Sequence, residues 1–143
     1  MKANQQTEAA ATAVWNKFND AYVRRDLKEL LSVFAPDADV VFFGTGLDER
    51  RVGSSEIQAQ AERDWAQSEG GSFHWKWHSV SAAGPVAWLA AEGTFQAKVG
   101  GRDKNLPIRL TSVLEKRGDK WLFVQSHASV PAGGQGEGQS FPA

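Results

Sequence analysis

The sequence predicts an α+β fold, with helices in its first half and an antiparallel sheet in its second. Three observations predict it. Apolar residues in the first third recur at helical spacing. The segment from Phe73 alternates aromatic with polar side chains. Turns at Ala83-Gly84-Pro85, Gly100-Gly101 and Gly118-Asp119 cut the remainder into hairpins.

The elements follow in order. Ala11, Val14, Trp15, Phe18, Ala21 and Tyr22 form one apolar stripe on a 3.6-residue helix, for which Thr7 is the expected N-cap. A short second helix is expected from Asp26. Asp26 and Glu29 have capping-box spacing, Leu27, Leu30, Leu31 and Phe34 supply the buried side, and Pro36 stops the helix. Asp39-Val40-Val41-Phe42-Phe43 reads as a strand closed by Gly44-Thr45-Gly46. Gly53-Ser54-Ser55 opens a third helix with Ile57, Ala61 and Trp65 on its inner side, and Gly70-Gly71 is expected to end it. Four strands follow, over Phe73 to Val80, Val86 to Lys98, Leu106 to Lys116 and Trp121 to Val130.

Composition limits the function classes. A chain of 143 residues suits one domain, and a net charge of −1 gives no electrostatic reason to bind nucleic acid or an anionic membrane. With no cysteine there is no disulfide framework, thiol nucleophile or thiolate metal site. Six tryptophans need a core, a pocket or an interface to bury them. No targeting segment or apolar run of membrane length is visible, so a soluble, cytoplasmic protein is expected. Residues 1–130 read as a single domain. Pro131 to Ala143, with four Gly and two Pro in thirteen residues, read as a flexible tail.

Turn positions set register, and register sets faces. A two-residue loop at 100–101 places Glu92 opposite Arg109. A loop at 118–119, with regular pairing throughout, places Leu110 opposite His127 and Ser112 opposite Gln125. One face then carries Leu89, Ala91, Phe95, Ile108, Leu110, Ser112, Leu114, Trp121, Phe123, Gln125 and His127. Being the more apolar, it is expected to meet the helices. Trp88, Glu92, Thr94, Arg109, Val113, Val124 and Ser126 fall on the other. A β-bulge would invert such an assignment beyond the point where it occurs.

The segments AYVRRDLKELLSVFAPDADVVFFGTG, ERRVGSSEIQAQAERDW, VAWLAAEGTF and LPIRLTSVLEKRGDKWLFVQSHASVP resemble, in order and spacing, the SnoaL-like branch of the nuclear transport factor 2-like superfamily. The resemblance implies a curved antiparallel sheet wrapped around N-terminal helices to form a cone with an apolar pocket. It also implies dimerisation through the outer sheet face. The superfamily holds polyketide cyclases, dehydratases, ketosteroid isomerase and kinase association domains, so fold alone does not give function. The tyrosine, general-base aspartate and protonated aspartate of ketosteroid isomerase fall here at Phe18, Phe42 and near Ser112. A phenyl ring can neither abstract a proton nor donate to an oxyanion, which argues against that mechanism. The arginine of the kinase association domain, also expected near Ser112, is absent.

His127 is the candidate acid or base, because imidazole titrates near neutrality; alternatively it is a neutral histidine tied to Ser112 or a backbone carbonyl. Trp15, Phe18, Phe42 and Trp65 are the candidate apolar walls of a ligand pocket, with Ser112, Gln125 and His127 as its polar contacts, although such rings also build ordinary cores. His74 and His78 are expected on one face of a strand, about 13 Å apart and too far for joint metal ligation. Glu92 and Arg109 are expected to form a cross-strand ion pair and, with Trp88, to mark a homodimer surface. Gly44-Thr45-Gly46 lacks the tail of a phosphate loop, Ser126-His127 lacks a nucleophile elbow, and Asp37, Asp39, Asp48 and Glu49 lack calcium-loop spacing. No metal site or cofactor is expected. The preferred reading is a homodimer binding a small apolar or aromatic molecule. The alternatives are a cyclase, dehydratase or isomerase using His127, and a ligand-free association module.

Overall fold

A computed structural model describes residues 1–143. Helix α1 spans Gln5–Arg24, α2 Leu27–Ser32 and α3 Ser54–Ala66. The strands are β1 Val41–Phe43, β2 Arg50–Val52, β3 Gly70–Ala83, β4 Val86–Val99, β5 Arg102–Arg117 and β6 Lys120–Ser129. They form one six-stranded sheet in the order β2-β1-β6-β5-β4-β3. All pairs are antiparallel except β1 with β6, so the sheet is mixed rather than purely antiparallel. No helix is long and apolar enough to cross a membrane. Residues 131–143 form neither helix nor strand, and all are exposed.

Local chemistry explains most boundaries. The N-cap of α1 is Asn4, not Thr7: its side chain accepts the Thr7 amide at 2.8 Å, starting the helix three residues earlier. Asp26 caps α2 as expected, accepting the Glu29 amide at 3.0 Å. The reciprocal half of the capping box is missing because the Glu29 carboxylate pairs with Arg24. Gly53 opens α3, but Gly70 and Gly71 do not end it. The helix stops at Ala66, and both glycines already belong to β3. Strand β2 had no sequence signal, since two arginines and a valine carry no apolar alternation. It forms by pairing Arg50–Val52 antiparallel with β1.

The hairpin β4–β5 keeps the expected register along its whole length, from Val99 opposite Arg102 to Val86 opposite Glu115. The other two long pairs each contain a bulge. In β3, Trp75 faces Gly93 while Trp77 faces Glu92, leaving Lys76 as an extra residue. In β6, Phe123 faces Leu114 while Gln125 faces Val113, leaving Val124 as the extra residue. Gly93 permits the first bulge: a β-carbon there would lie 2.3 Å from the His74 carbonyl oxygen and 2.8 Å from the Trp75 Cα.

Both bulges overturn face assignments, because one added residue reverses every side chain beyond it. His74 and His78 fall on opposite faces, His78 turning in beside Trp15 with ring centroids 5.2 Å apart. Trp75 turns inward and Trp77 outward, where it is 54% exposed. Gln125 and His127 move to the outer face and are exposed, while Ser126 and Ala128 take the inner one and are buried. Glu92 and Arg109 do stand opposite one another, yet their charged groups form no ion pair.

The core lies between α1 and the inner face of the sheet. Trp15, Val40, Leu89, Leu114 and Phe123 are among its deepest members. A smaller cluster, Ala21, Leu30 and Ala61, joins the three helices. On the far side, Arg117 binds Asp37 and Glu115, tying the chain after α2 to the β5–β6 hairpin.

Candidate functional site

Between α1, α3 and the inner sheet face the core opens into a cavity of about 300 Å³. That volume lies at the lower end of the range for small-molecule pockets. Its apolar wall comes from every layer of the fold. Phe18 lines it from α1 and Phe42 from β1. Phe73 and Trp75 line it from β3, Phe95 from β4, and Ile108 and Leu110 from β5. The rings support one another: Phe73 stacks on Trp75 at 5.5 Å, and Tyr22 sits 5.7 Å from Phe73 and 5.9 Å from Phe95.

One side of the cavity is polar, and none of the residues that build it is among the candidate site residues of the sequence. Tyr22 of α1 donates its hydroxyl to Asp64 Oδ2 at 2.8 Å. Gln60, one turn before Asp64 on α3, is 4% exposed and has all its bonding capacity met. Its Nε2 donates to Asp64 Oδ1 at 2.7 Å and Glu49 Oε1 at 3.1 Å, while its Oε1 accepts from Arg51 Nε at 2.8 Å and Arg63 Nη2 at 3.3 Å. Arg63 also binds Glu49 at 2.9 Å and Asp48 at 2.7 Å. Tyr22, Glu49, Gln60 and Asp64 all line the cavity.

The Gly44-Thr45-Gly46 turn has a role here. Glu49 folds back into it, accepting the Gly46 amide at 2.8 Å. A β-carbon at Gly44 would fall 2.1 Å from the Glu49 carboxylate, so glycine leaves the space that this side chain fills. Strand β2 then brings Arg51 against Gln60.

The electrostatics follow from this network. Burial raises the Asp64 carboxyl above the usual carboxylate range, against the opposing pull of hydrogen bonds from Tyr22 and Gln60. Burial, reinforced by Asp64, pushes the Tyr22 phenol well up, so it stays protonated and can donate. Arg63 shows the contrary case. Its hydrogen bond to Asp48 holds that carboxyl below its usual range. The site thus places a proton-accepting carboxylate and a protonated phenol against apolar walls, the pairing needed for proton exchange with a bound molecule.

The seven candidate residues divide. Phe18 and Phe42 line the cavity. Trp15 is 2% exposed and packs on Trp75 with ring centroids 5.0 Å apart, within the core rather than on the cavity wall. Trp65 stands behind the wall, where its indole donates to the Tyr22 carbonyl at 3.0 Å and fastens α3 to α1. Ser112 is buried and shares a 3.0 Å hydrogen bond with Ser126. Gln125 and His127 do not reach the cavity, because the Val124 bulge turns them outward; the His127 ring lies against Phe43 at 5.2 Å.

A signal for the missed residues was present. On α3 the inward positions are 57, 60, 61, 64 and 65, so Gln60 and Asp64 occupy the same stripe as Ile57, Ala61 and Trp65. Polar residues on the buried stripe of a helix require partners, and those partners form the polar side of the cavity. Tyr22 lies one turn after Phe18, where the isomerase tyrosine was sought.

The SnoaL-like domain family model matches residues 11–133. Among solved structures, a nuclear transport factor 2-like superfamily protein from Salmonella enterica serovar Typhimurium is 17% identical. The match has a TM-score of 0.84 and covers 97% of this chain and 100% of that one. A provisionally named dehydratase of the same family from Streptomyces avermitilis is 20% identical, with a TM-score of 0.82 over 91% of this chain and 99% of that one. An NTF2-like protein of unknown function from Pseudomonas putida is 19% identical, with a TM-score of 0.74 over 96% and 94%. No curated protein matches the sequence. At these identities the structural likenesses establish the fold, and the family match covers most of the domain. The chain therefore belongs to the SnoaL-like domain family and has the fold of nuclear transport factor 2-like proteins.

Proposed function

We propose that this protein binds a small aromatic molecule in the cavity between α1, α3 and the sheet. The carrying observation is a cavity with mostly apolar walls and polar groups concentrated on one side, Tyr22, Glu49, Gln60 and Asp64. Rings would lie among Phe18, Phe42, Phe73, Trp75 and Phe95, and the polar side would set orientation. Thermal unfolding and tryptophan fluorescence against a panel of aromatic compounds test this reading. A ligand at a hundred times its Kd adds about 2.7 kcal/mol, worth roughly 5–11 °C in Tm for a domain near this size. A panel that shifts neither observable would overturn it.

A second reading is favoured by the Tyr22–Asp64 hydrogen bond: acid–base catalysis of a dehydration, cyclisation or isomerisation, with Asp64 moving the proton. The provisional dehydratase name of the Streptomyces relative supports this class of reaction. It replaces the reading based on His127, which stands outside the cavity. Loss of turnover in Asp64→Asn, with Tm retained, is the expected result.

The outer sheet face, where Trp77 is exposed and Trp88 half-buried, is proposed to be covered by a second copy of the chain.

A further inference from the structure

The side-chain donors that Tyr22 and Gln60 bring to the polar side of the cavity are already in use. The one buried donor left unpaired on a lining residue, the Trp75 indole N–H, lies in the apolar wall. The Tyr22 hydroxyl hydrogen goes to Asp64. Both amide hydrogens of Gln60 go to Glu49 and Asp64. Arg63 spends its guanidinium on Asp48, Glu49 and Gln60, and Arg51 directs its Nε to Gln60. The Ser68 hydroxyl donates to the Asp64 backbone carbonyl. Acceptors are in surplus. Each Asp64 oxygen receives a single hydrogen bond and has capacity for another, and the Tyr22 oxygen has unused lone pairs. Thr45 and Gln67, whose side chains could donate, are exposed at the rim.

Charge sharpens the point. Asp48 and Glu49 both contact Arg63, whereas Asp64 has only neutral partners. A carboxylate that faces an apolar space and is hydrogen-bonded only to neutral groups gains most from a further hydrogen-bond donor. An anionic ligand would meet Asp64 and Glu49. An ammonium would have to bring a full charge out of water into a mostly apolar space. A hydroxyl answers the free acceptors at much lower desolvation cost.

We propose that the cavity selects neutral aromatic molecules carrying a hydroxyl, which donates to Asp64, over otherwise similar molecules that only accept hydrogen bonds or carry a carboxylate. This rests on the pocket reading above and names the ligand class for it.

Calorimetric titration of the full chain with four compounds on one ring system tests the selection: 2-naphthol, 2-methoxynaphthalene, 2-naphthoate and naphthalen-2-ylmethylammonium. The expected result is that 2-naphthol binds at least about tenfold more tightly than 2-methoxynaphthalene, the scale of one charge-assisted hydrogen bond. 2-Naphthoate should bind weakest. In Asp64→Asn, the preference for naphthol over its methyl ether should shrink to under about threefold, since the amide is a weaker acceptor. Equal binding of naphthol and methyl ether by the wild-type protein would overturn the proposal while leaving the pocket reading intact. Tighter binding of the ammonium or the carboxylate would also overturn it. Absence of binding by all four would remove the pocket reading with it. The wild-type series decides the question even where the variant does not fold.

Discussion

Asp64 combines two opposing influences in one carboxyl group: burial favours its neutral form, and hydrogen bonds from Tyr22 and Gln60 favour its charged form, with burial the stronger. A carboxyl whose folded pKa exceeds its unfolded value, near about 3.9, stabilises the fold most at low pH. It loses that contribution as pH rises through the folded pKa. Asp37 and Asp48 act in the reverse sense, because Arg117 and Arg63 lower their pKa values and their support disappears as pH falls. Comparing Tm for wild type and Asp64→Asn from about pH 3 to pH 8 isolates the first effect. Relative to the variant, the wild-type protein should lose stability as pH rises from about 4, then level off once Asp64 is ionised. A constant difference across the range would show that Asp64 titrates as it does in the unfolded chain. The sequence permitted this residue to be found, because position 64 lies on the stripe defined by Ile57, Ala61 and Trp65. Finding its partners required the fold, since Tyr22 is 42 residues away on another helix.

At the scale of elements, legibility depended on whether pairing stayed regular. The β4–β5 hairpin could be read residue by residue from its Gly100-Gly101 turn, because nothing interrupts its ladder. The β5–β6 hairpin could be read only from Gly118 back to Leu114. Beyond that, Val124 adds one residue, and His127 and Gln125 change faces. Neither Val124 nor Lys76 is a residue type that marks a bulge. The clearer mark in β3 is across the strand, at Gly93, whose missing side chain admits the His74 and Trp75 backbone. Gly93→Ala should therefore destabilise the protein by about 1–3 kcal/mol, as expected for overpacking at a closed site, and should weaken ligand binding by displacing Trp75. Chemical denaturation measures the first effect and titration the second. A variant as stable as wild type would show that the bulge relaxes without cost.

For the whole molecule, the fold divides the tryptophans between two duties, and the β3 bulge sets Trp75 and Trp77 on opposite sides. Trp15, Trp75 and Trp121 face the core or cavity, while Trp77 and Trp88 remain on the outer face of the sheet. Trp77→Glu should convert the proposed dimer into a monomer without lowering the affinity of the cavity, because the two faces share no side chains. Sedimentation or light scattering reads the first outcome, and a wild-type protein that is monomeric at high concentration would refute the assignment of this face. The cavity draws its lining from residues 18 to 128, nearly the full span of the domain. Ligand binding should consequently stabilise the domain as a unit.

The Val124 bulge also bears on how such a domain can change over generations. Strand β6 holds two interleaved sets of side chains, Ser126 and Ala128 on one side and Gln125 and His127 on the other, and a single extra residue selects which set turns inward. Deleting position 124 would close the bulge and leave both sets where they are. One codon inserted after it, with the bulge kept, would move Gln125 opposite Ser112 and His127 opposite Leu110. An imidazole and an amide would enter the interior with no substitution in the remainder of the gene. The outer face thus stores a second interior chemistry one insertion away, a far shorter route to new ligands than rebuilding the wall by point mutations.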